Sequence, residues 1–508
     1  MYVYAHQIGN QSLLLRNKKY FTPHAFVQGN WAKDVVLTVG GDGRWQEIHV
    51  DATPQQQQGA IRLRGPALPG LVNAHSHAFQ RAMAGLTEHR TAAAVRPDRT
   101  GVALGLVDMS RAADTADDFW SWRERMYQAA NRITPQQLEA TASLLYTELL
   151  RGGYTQVCEF HYLHNDTNGS AYANPAEMSL ALVRAAERTG IGLTLLPTLY
   201  MRAGFTDGSL RAEQRRFAST PETIMRVVEA VHQFVSDNAQ ACSNISVGVA
   251  IHSLRAVALA AITELAAAAH RQGLPVHIHI AEQTQEVADC MAHTRMRPIE
   301  WLLTHAPVDA YWNLIHATHA NLDELRAIKE QNAAVVICPT TEANLGDGVF
   351  DLPGYAALGG AWSIGSDSHV GRSWPEELRL LEYAQRLVLR QRNVAAHVIG
   401  TQSSAEGLFE SAVAGGARAA GVSLGGFAAG QRADFVTIDL NATAMLGIPS
   451  ANALDALVFS SPTSGFDQVV VAGKLVADAQ PAGQNVHRKP VPDQIAAEFS
   501  ATMRQLWR

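Results

Sequence analysis

Seven side chains able to do acid–base or metal chemistry fall at the ends of apolar, strand-like segments. His75 and His77 close LVNAHSH, His252 closes ISVGVAIHS, His279 and Glu282 lie in HIHIAE, His316 in NLIHAT and Asp367 in SIGSD. The i, i+2 spacing of His75 and His77 puts both imidazoles on one side of an extended segment. Imidazole nitrogens and a carboxylate oxygen are donors that suit Zn²⁺ or Fe²⁺. Three histidines and one aspartate could hold a single divalent metal and leave room for a water. The ion lowers that water's pKa toward ~7 and supplies hydroxide at neutral pH. An open, catalytic metal centre fits this pattern better than a closed structural one.

Such residues need a frame that brings distant strand ends together. Between roughly residues 68 and 370, eight apolar, β-branched segments recur, mostly with helix-like sequence between them: LPGLVNAH, YTQVCEF, IGLTLLPTLY, ISVGVAIHS, PVHIHIAE, YWNLIHAT, AAVVICPT and AWSIGSD. Runs apolar on both faces suit parallel strands covered on both sides. Eight strand–helix units predict a (β/α)₈ barrel of the α/β class, whose catalytic groups gather at the C-terminal mouth. One connection is legible at both ends. Thr134 is placed to cap a helix, Pro135 fits its first position, Gln137 completes a capping box, and Gly152–Gly153 can end it. Short alternating segments at both chain ends (VVLTVGGDG, IRLRG, ADFVTIDL, DQVVVAGKLV) predict one small β-sandwich. The expected division is 1–67 with 427–487 for that sandwich, 68–426 for the barrel and 488–508 for a C-terminal helix. The Gln55–Gln58 run reads as an exposed loop.

Composition narrows the function classes. The 508 residues are 47% hydrophobic and 17% charged, with a net charge of −6 and no basic run. That balance is globular and disfavours nucleic-acid binding. Cys158, Cys242, Cys290 and Cys338 are far apart, so a zinc ribbon or redox pair is not expected and reduced, buried thiols are. The first residues lack a basic region followed by an apolar core, and no apolar stretch is long enough to span a bilayer, which predicts a cytoplasmic protein without membrane partners.

At these motifs the chain resembles the amidohydrolase superfamily over essentially its whole length. PGLVNAHSH, HIHIAE and SIGSDSH carry the superfamily's metal-site pattern, and GQRADFVTIDL with VVVAGKLV resembles its closing strands. The H-x-x-E form of His279 and Glu282 is similar to the deaminase branch, where the glutamate shuttles protons. Longer strings are similar to the deiminases that act on formimino-glutamate in histidine degradation. They are HSHAFQRAMAGL at 75–86, DFWSWRERMY at 118–127, EFHYLHND at 159–166, HSLRAV at 252–257, HIHIAEQ at 277–283, HATH at 316–319, CPTTEANLGDG at 338–348 and GSDSHV at 365–370.

The resemblance implies one divalent metal, Zn²⁺ ahead of Fe²⁺, held by His75, His77, His279 and Asp367. It implies proton transfer by Glu282, His316 and Asp367, and substrate binding by Gln80, Arg123, Tyr162, His252 and Arg255. Two arginines suit a small-molecule dicarboxylate, because guanidinium forks pair bidentately with carboxylates. A homodimer is a further implication. The segment between Glu88 and Asp117 is longer than the resemblance leads one to expect, and it precedes Arg123. Two other readings compete. A guanine- or aminotriazine-type deaminase would need an aromatic-ring pocket in place of two carboxylate clamps. A non-catalytic scaffold on the same fold would be expected to have lost metal ligands.

Overall fold

The structure, a computed structural model, describes residues 18–89, 118–461, 465–478 and 491–507. Most of the long segment after Glu88 lies outside the described residues.

The chain opens with β1 (Lys19–Val27), β2 (Asn30–Val39), β3 (Trp45–His49), β4 (Ile61–Arg62) and β5 (Ala67–Pro69). The barrel follows as β6 (Leu71–Ser76), β7 (Tyr154–His161), β8 (Gly192–Leu199), β9 (Ile245–Val247), β10 (Val249–Ile251), β11 (Val276–Ile280), β12 (Trp312–His316), β13 (Ala334–Ile337) and β14 (Ala361–Ile364). The chain then returns as β15 (Phe435–Ile438), β16 (Phe466–Val471) and β17 (Lys474–Asp478).

Neighbouring strands from β6 to β14 are parallel, and β9 and β10 form one strand position interrupted at Gly248. A bridge between Ser76 and Asp367 joins the last strand position to the first. The result is a (β/α)₈ barrel. Its strands are buried along nearly their whole length, which is why they read as continuous apolar runs with no alternation. Strands from both chain ends make the separate sheet, in the order β17-β16-β15-β5-β1-β2-β3, with β4 beside β1. Its own apolar core includes Tyr20, Trp45, Phe427 and Phe435.

Two local expectations need correction. The first apolar segment is not one strand: Gly70 divides it, β5 pairing with β1 and β15 while β6 enters the barrel. A Cβ at Gly70 would press on the Thr155 side chain and on Asp434 Cβ, so only glycine lets the chain cross between the two sheets here. The glutamine run is likewise not an irregular loop. Pro54–Gln57 forms one helical turn, because Thr53 and Gln56 cap it reciprocally.

The helix Pro135–Arg151 carries the expected Thr134–Gln137 capping box and ends at Gly152. The terminal helix Asp493–Leu506 lies against the barrel: Leu506 O accepts from Arg132 at 3.0 Å, and Trp507 Nε1 donates to Ala82 O at 2.8 Å. That last bond braces the turn that follows His77. All four cysteines are buried and unpaired, and no described helix is long and apolar enough to cross a membrane.

Candidate active site

The donors sit where the strands stop. His75 is in β6 and His77 directly follows it, His279 is in β11, His316 ends β12, and Asp367 lies three residues beyond β14. Asp367 N donates to His75 O at 3.0 Å and His77 N donates to Asp367 O at 3.2 Å, so the barrel seam itself holds these residues together. The backbone bends sharply at this rim. Ala281, His316, Ala317, Asp367 and His369 have φ of 52°, 69°, 50°, 46° and 66°. Non-glycine residues in that region cost on the order of 1–3 kcal/mol each and persist only where the surroundings enforce them.

Four donor atoms converge. His279 Nε2 lies 3.0 Å from His75 Nε2. Asp367 Oδ1 lies 3.4 Å from His75 Nε2 and 3.3 Å from His77 Nε2. His77 Nδ1 meets Phe160 O at 2.8 Å, and His279 Nδ1 meets His252 O at 2.9 Å. A carbonyl oxygen only accepts, so each Nδ1 carries the hydrogen and each neutral ring points its Nε2 lone pair into the cluster. Burial lowers the pKa of all three histidines, well below the ordinary value for His75 and His279, which favours the neutral ligand form. The His77 and His279 lone pairs face the Asp367 carboxylate and His75 Nε2, and His75 Nδ1 is buried without a partner among the described residues; a divalent cation satisfies such a set of acceptors. The donor set therefore fits a mononuclear metal.

Beside it stands a proton-handling pair. His316 Nε2 is 3.6 Å from Glu282 Oε1 and 3.8 Å from Asp367 Oδ2. Burial holds the Glu282 carboxyl well above the usual carboxylate range, with His316 opposing. Burial disfavours charged His316, but Glu282, Cys338 and Glu342 outweigh it and raise its pKa well above the ordinary histidine value. Both directions keep a proton within the pair.

A cavity opens from this cluster. Gln80, Arg123, Tyr162, His252 and Arg255 all line it, together with His77, His279, Glu282, His316 and Asp367. His75 lies behind them. Gln80 Nε2 donates to the Tyr162 hydroxyl at 3.2 Å, and Gln80 Oε1 is buried with no partner among the described residues. The His252 imidazole packs on Tyr200, ring centroids 4.4 Å apart, while its carbonyl orients His279. His252 thus stands on the cavity side of the donor cluster. Arg123 comes from the helix Phe119–Ala130 and Arg255 from the turn after β10; both Nε atoms are buried without a hydrogen-bond partner among the described residues. Burial lowers the Arg123 pKa, and the neighbouring charge of Arg255 adds to this.

Several carboxylates that sequence reasoning passed over support this arrangement. Glu159 accepts from Ser76 Oγ at 2.6 Å and Ala78 N at 2.5 Å, pinning the His75–His77 turn; burial pushes its pKa up to about 8. Glu342 accepts from His316 Nδ1 at 3.2 Å and Cys338 N at 2.9 Å. Glu286 accepts from Ala281 N at 3.2 Å and Glu282 N at 3.1 Å, fixing the bend that carries Glu282. Glu159 and Glu342 fall inside the strings EFHYLHND and CPTTEANLGDG, which was the available signal.

Comparison with known proteins matches this geometry to a family. A family model described as the amidohydrolase family matches residues 67–476. The chain is 42% identical over 469 residues to a formimidoylglutamate deiminase of Pseudomonas aeruginosa, covering 91% of this chain and 96% of the relative. It is 26% identical over 417 residues to an 8-oxoguanine deaminase of the same organism, covering 81% and 82%. A crystal structure of an amidohydrolase from Brucella melitensis is similar with a TM-score of 0.82 and 36% identity, covering 97% of this chain and all of that one. An adenosine deaminase from Xanthomonas campestris, solved with bound zinc, shares the fold at a TM-score of 0.72 and 20% identity, covering 97% and 98%.

Proposed function

The chain belongs to the amidohydrolase family, and from that premise we propose that it hydrolyses N-formimino-L-glutamate to N-formyl-L-glutamate and ammonia. The observation that carries this reading is the meeting, in one cavity, of a four-donor cluster with two guanidiniums whose Nε atoms have no hydrogen-bond partner among the described residues. The first suits C–N hydrolysis. The second suits a substrate with two carboxylates.

In this reading His75, His77, His279 and Asp367 would hold one divalent ion, zinc by preference, which would supply hydroxide at neutral pH by lowering the pKa of water. Asp367, 3.8 Å from His316, takes up the proton that the attacking water loses. Glu282 delivers a proton to the imine nitrogen, so that the leaving group departs as ammonia and not as its anion. His316, oriented by Glu342, faces the oxygen on which charge develops. Gln80, Tyr162 and His252 bind the formimino end, and Arg123 and Arg255 bind the carboxylates. The balance is one water in and one ammonia out, with the C=N bond replaced by C=O.

An aromatic-ring substrate is less well served. Ring side chains line the cavity, Phe119, Trp122, Tyr200 and Phe217 among them, but an aromatic-ring substrate would leave the Arg123 and Arg255 guanidiniums beside Trp120 without an anionic partner. A coupled ammonia assay with N-formimino-L-glutamate, its aspartate analogue and guanine tests the proposal. Turnover of the glutamate compound far above guanine is expected; faster release from guanine would overturn the reading. The aspartate analogue, one methylene shorter, reads how closely the arginine spacing fits.

A further inference from the structure

We propose that Trp120 is a positioning residue for specificity: it holds Arg123 and Arg255 side by side, so that the pocket rewards a substrate bearing two carboxylates over one bearing a single carboxylate. The inference rests on the dicarboxylate reading of the same cavity.

The main chain that carries the indole is fixed at a capped helix start. Trp120 is the second residue of the helix Phe119–Ala130, and Asp118 caps that helix by accepting from Trp120 N at 2.9 Å and Ser121 N at 3.0 Å. Arg123 Cζ stands 4.4 Å from the Trp120 ring and Arg255 Cζ stands 5.4 Å from it. The two arginines reach it from segments more than a hundred residues apart, one on this helix and one after β10. The backbone around Arg255 is held separately: Arg202 donates to Arg255 O at 3.1 Å, to Leu254 O at 3.0 Å and to Val257 O at 3.2 Å. Those bonds leave the Arg255 guanidinium free to choose a direction, and the indole supplies one.

Two guanidiniums brought together repel each other. The negative face of an indole offsets part of that repulsion, and tryptophan provides the strongest such surface among side chains. Tyr127 adds a second face for Arg123 alone, at 5.5 Å. A ligand with one carboxylate neutralises one of the two charges and leaves its neighbour unanswered. A dicarboxylate answers both, with guanidinium geometry suited to each carboxylate. Without the indole the arginines would separate toward solvent, and the advantage of the second carboxylate would shrink.

The test measures binding apart from turnover, using the metal-loaded protein. Wild type, Trp120→Leu and Trp120→Phe are titrated calorimetrically with glutarate and with butyrate, and KM and kcat for N-formimino-L-glutamate are measured alongside. Wild type should favour glutarate strongly. Trp120→Leu should bind glutarate roughly tenfold more weakly, with a smaller loss for butyrate, and its KM should rise while kcat changes little. Trp120→Phe, which keeps a ring face, should stay within about threefold of wild type. An unchanged glutarate preference in Trp120→Leu would overturn the role of Trp120 alone, as would Trp120→Phe being impaired as much as Trp120→Leu. A wild type that neither prefers glutarate nor releases ammonia from N-formimino-L-glutamate would overturn the dicarboxylate reading and this inference with it.

Discussion

His75, His77, His279 and Asp367 stand at or just beyond the ends of barrel strands, whereas Arg123 rides on the helix Phe119–Ala130 and Arg255 on a turn. The donor side is fixed by the backbone. Its His77 and His279 rings are oriented by carbonyls of β7 and of the residue after β10, and its turn is gripped by Glu159. The clamp side is fixed by ring faces and by buried guanidiniums whose Nε atoms make no hydrogen bond among the described residues. The contrast separates two tasks. Ladder hydrogen bonds and closed barrel geometry tolerate little displacement, which suits chemistry that needs fixed distances. Packing of a helix over the mouth can be altered without disturbing that ladder, which suits selection of the substrate.

The sharpest way to break the comparison is to strip the metal. Chelation should bring ammonia release to background, while glutarate titration stays within a few-fold of the untreated protein. Turnover that survived complete chelation, checked by elemental analysis, would end the metal reading. Next in size, Glu282→Gln should lower kcat by ~10²–10⁴-fold with divalent metal content unchanged. Loss of the metal in that variant would show that Glu282 is a ligand and not a proton carrier. On the other side, Arg255→Met should raise KM roughly ten- to a hundredfold, the usual worth of a charge-assisted hydrogen bond, with kcat changed much less. An equal fall in kcat and kcat/KM would mean that the clamp acts mainly in the transition state.

A further expected effect lies outside both halves and touches stability alone. Burial lowers His164 to about 4 from an ordinary 6.5, with its Nε2 bonded to Thr198 O at 2.8 Å. The folded state therefore stays neutral at a pH where the unfolded chain binds a proton. That stability is fully present above pH 6.5 and is lost as pH falls toward 4, at about 1.4 kcal/mol per pH unit at the steepest. His164→Gln should flatten this acid limb in denaturant titrations at pH 7 and pH 5. An unchanged pH dependence would show that His164 is protonated in the folded protein.

Local chemistry made much of the molecule legible before any coordinates. Apolar runs with polar residues at their ends marked the barrel strands and the donors, because burial on both faces leaves a direct imprint on composition and the chemistry-bearing groups cluster where the strands stop. The Thr134–Gln137 cap could be read for the same reason: both partners lie within one turn. Other features depend on closure of the barrel. His252 and His279 look alike as strand-end histidines, yet the fold brings the His279 ring to His75 and leaves the His252 ring on the cavity wall. Glu159 reaches Ser76 across 83 residues and Glu342 reaches His316 across 26, so the strings that contain them do not show which groups they hold. Trp120 sat in a motif whose arginine drew attention first; its meeting with Arg255 exists only because a helix folds over the mouth. Residue types and spacing are local and settled which groups were available for chemistry. Convergence is a property of the closed chain, and tertiary structure alone decided which of those groups face one another.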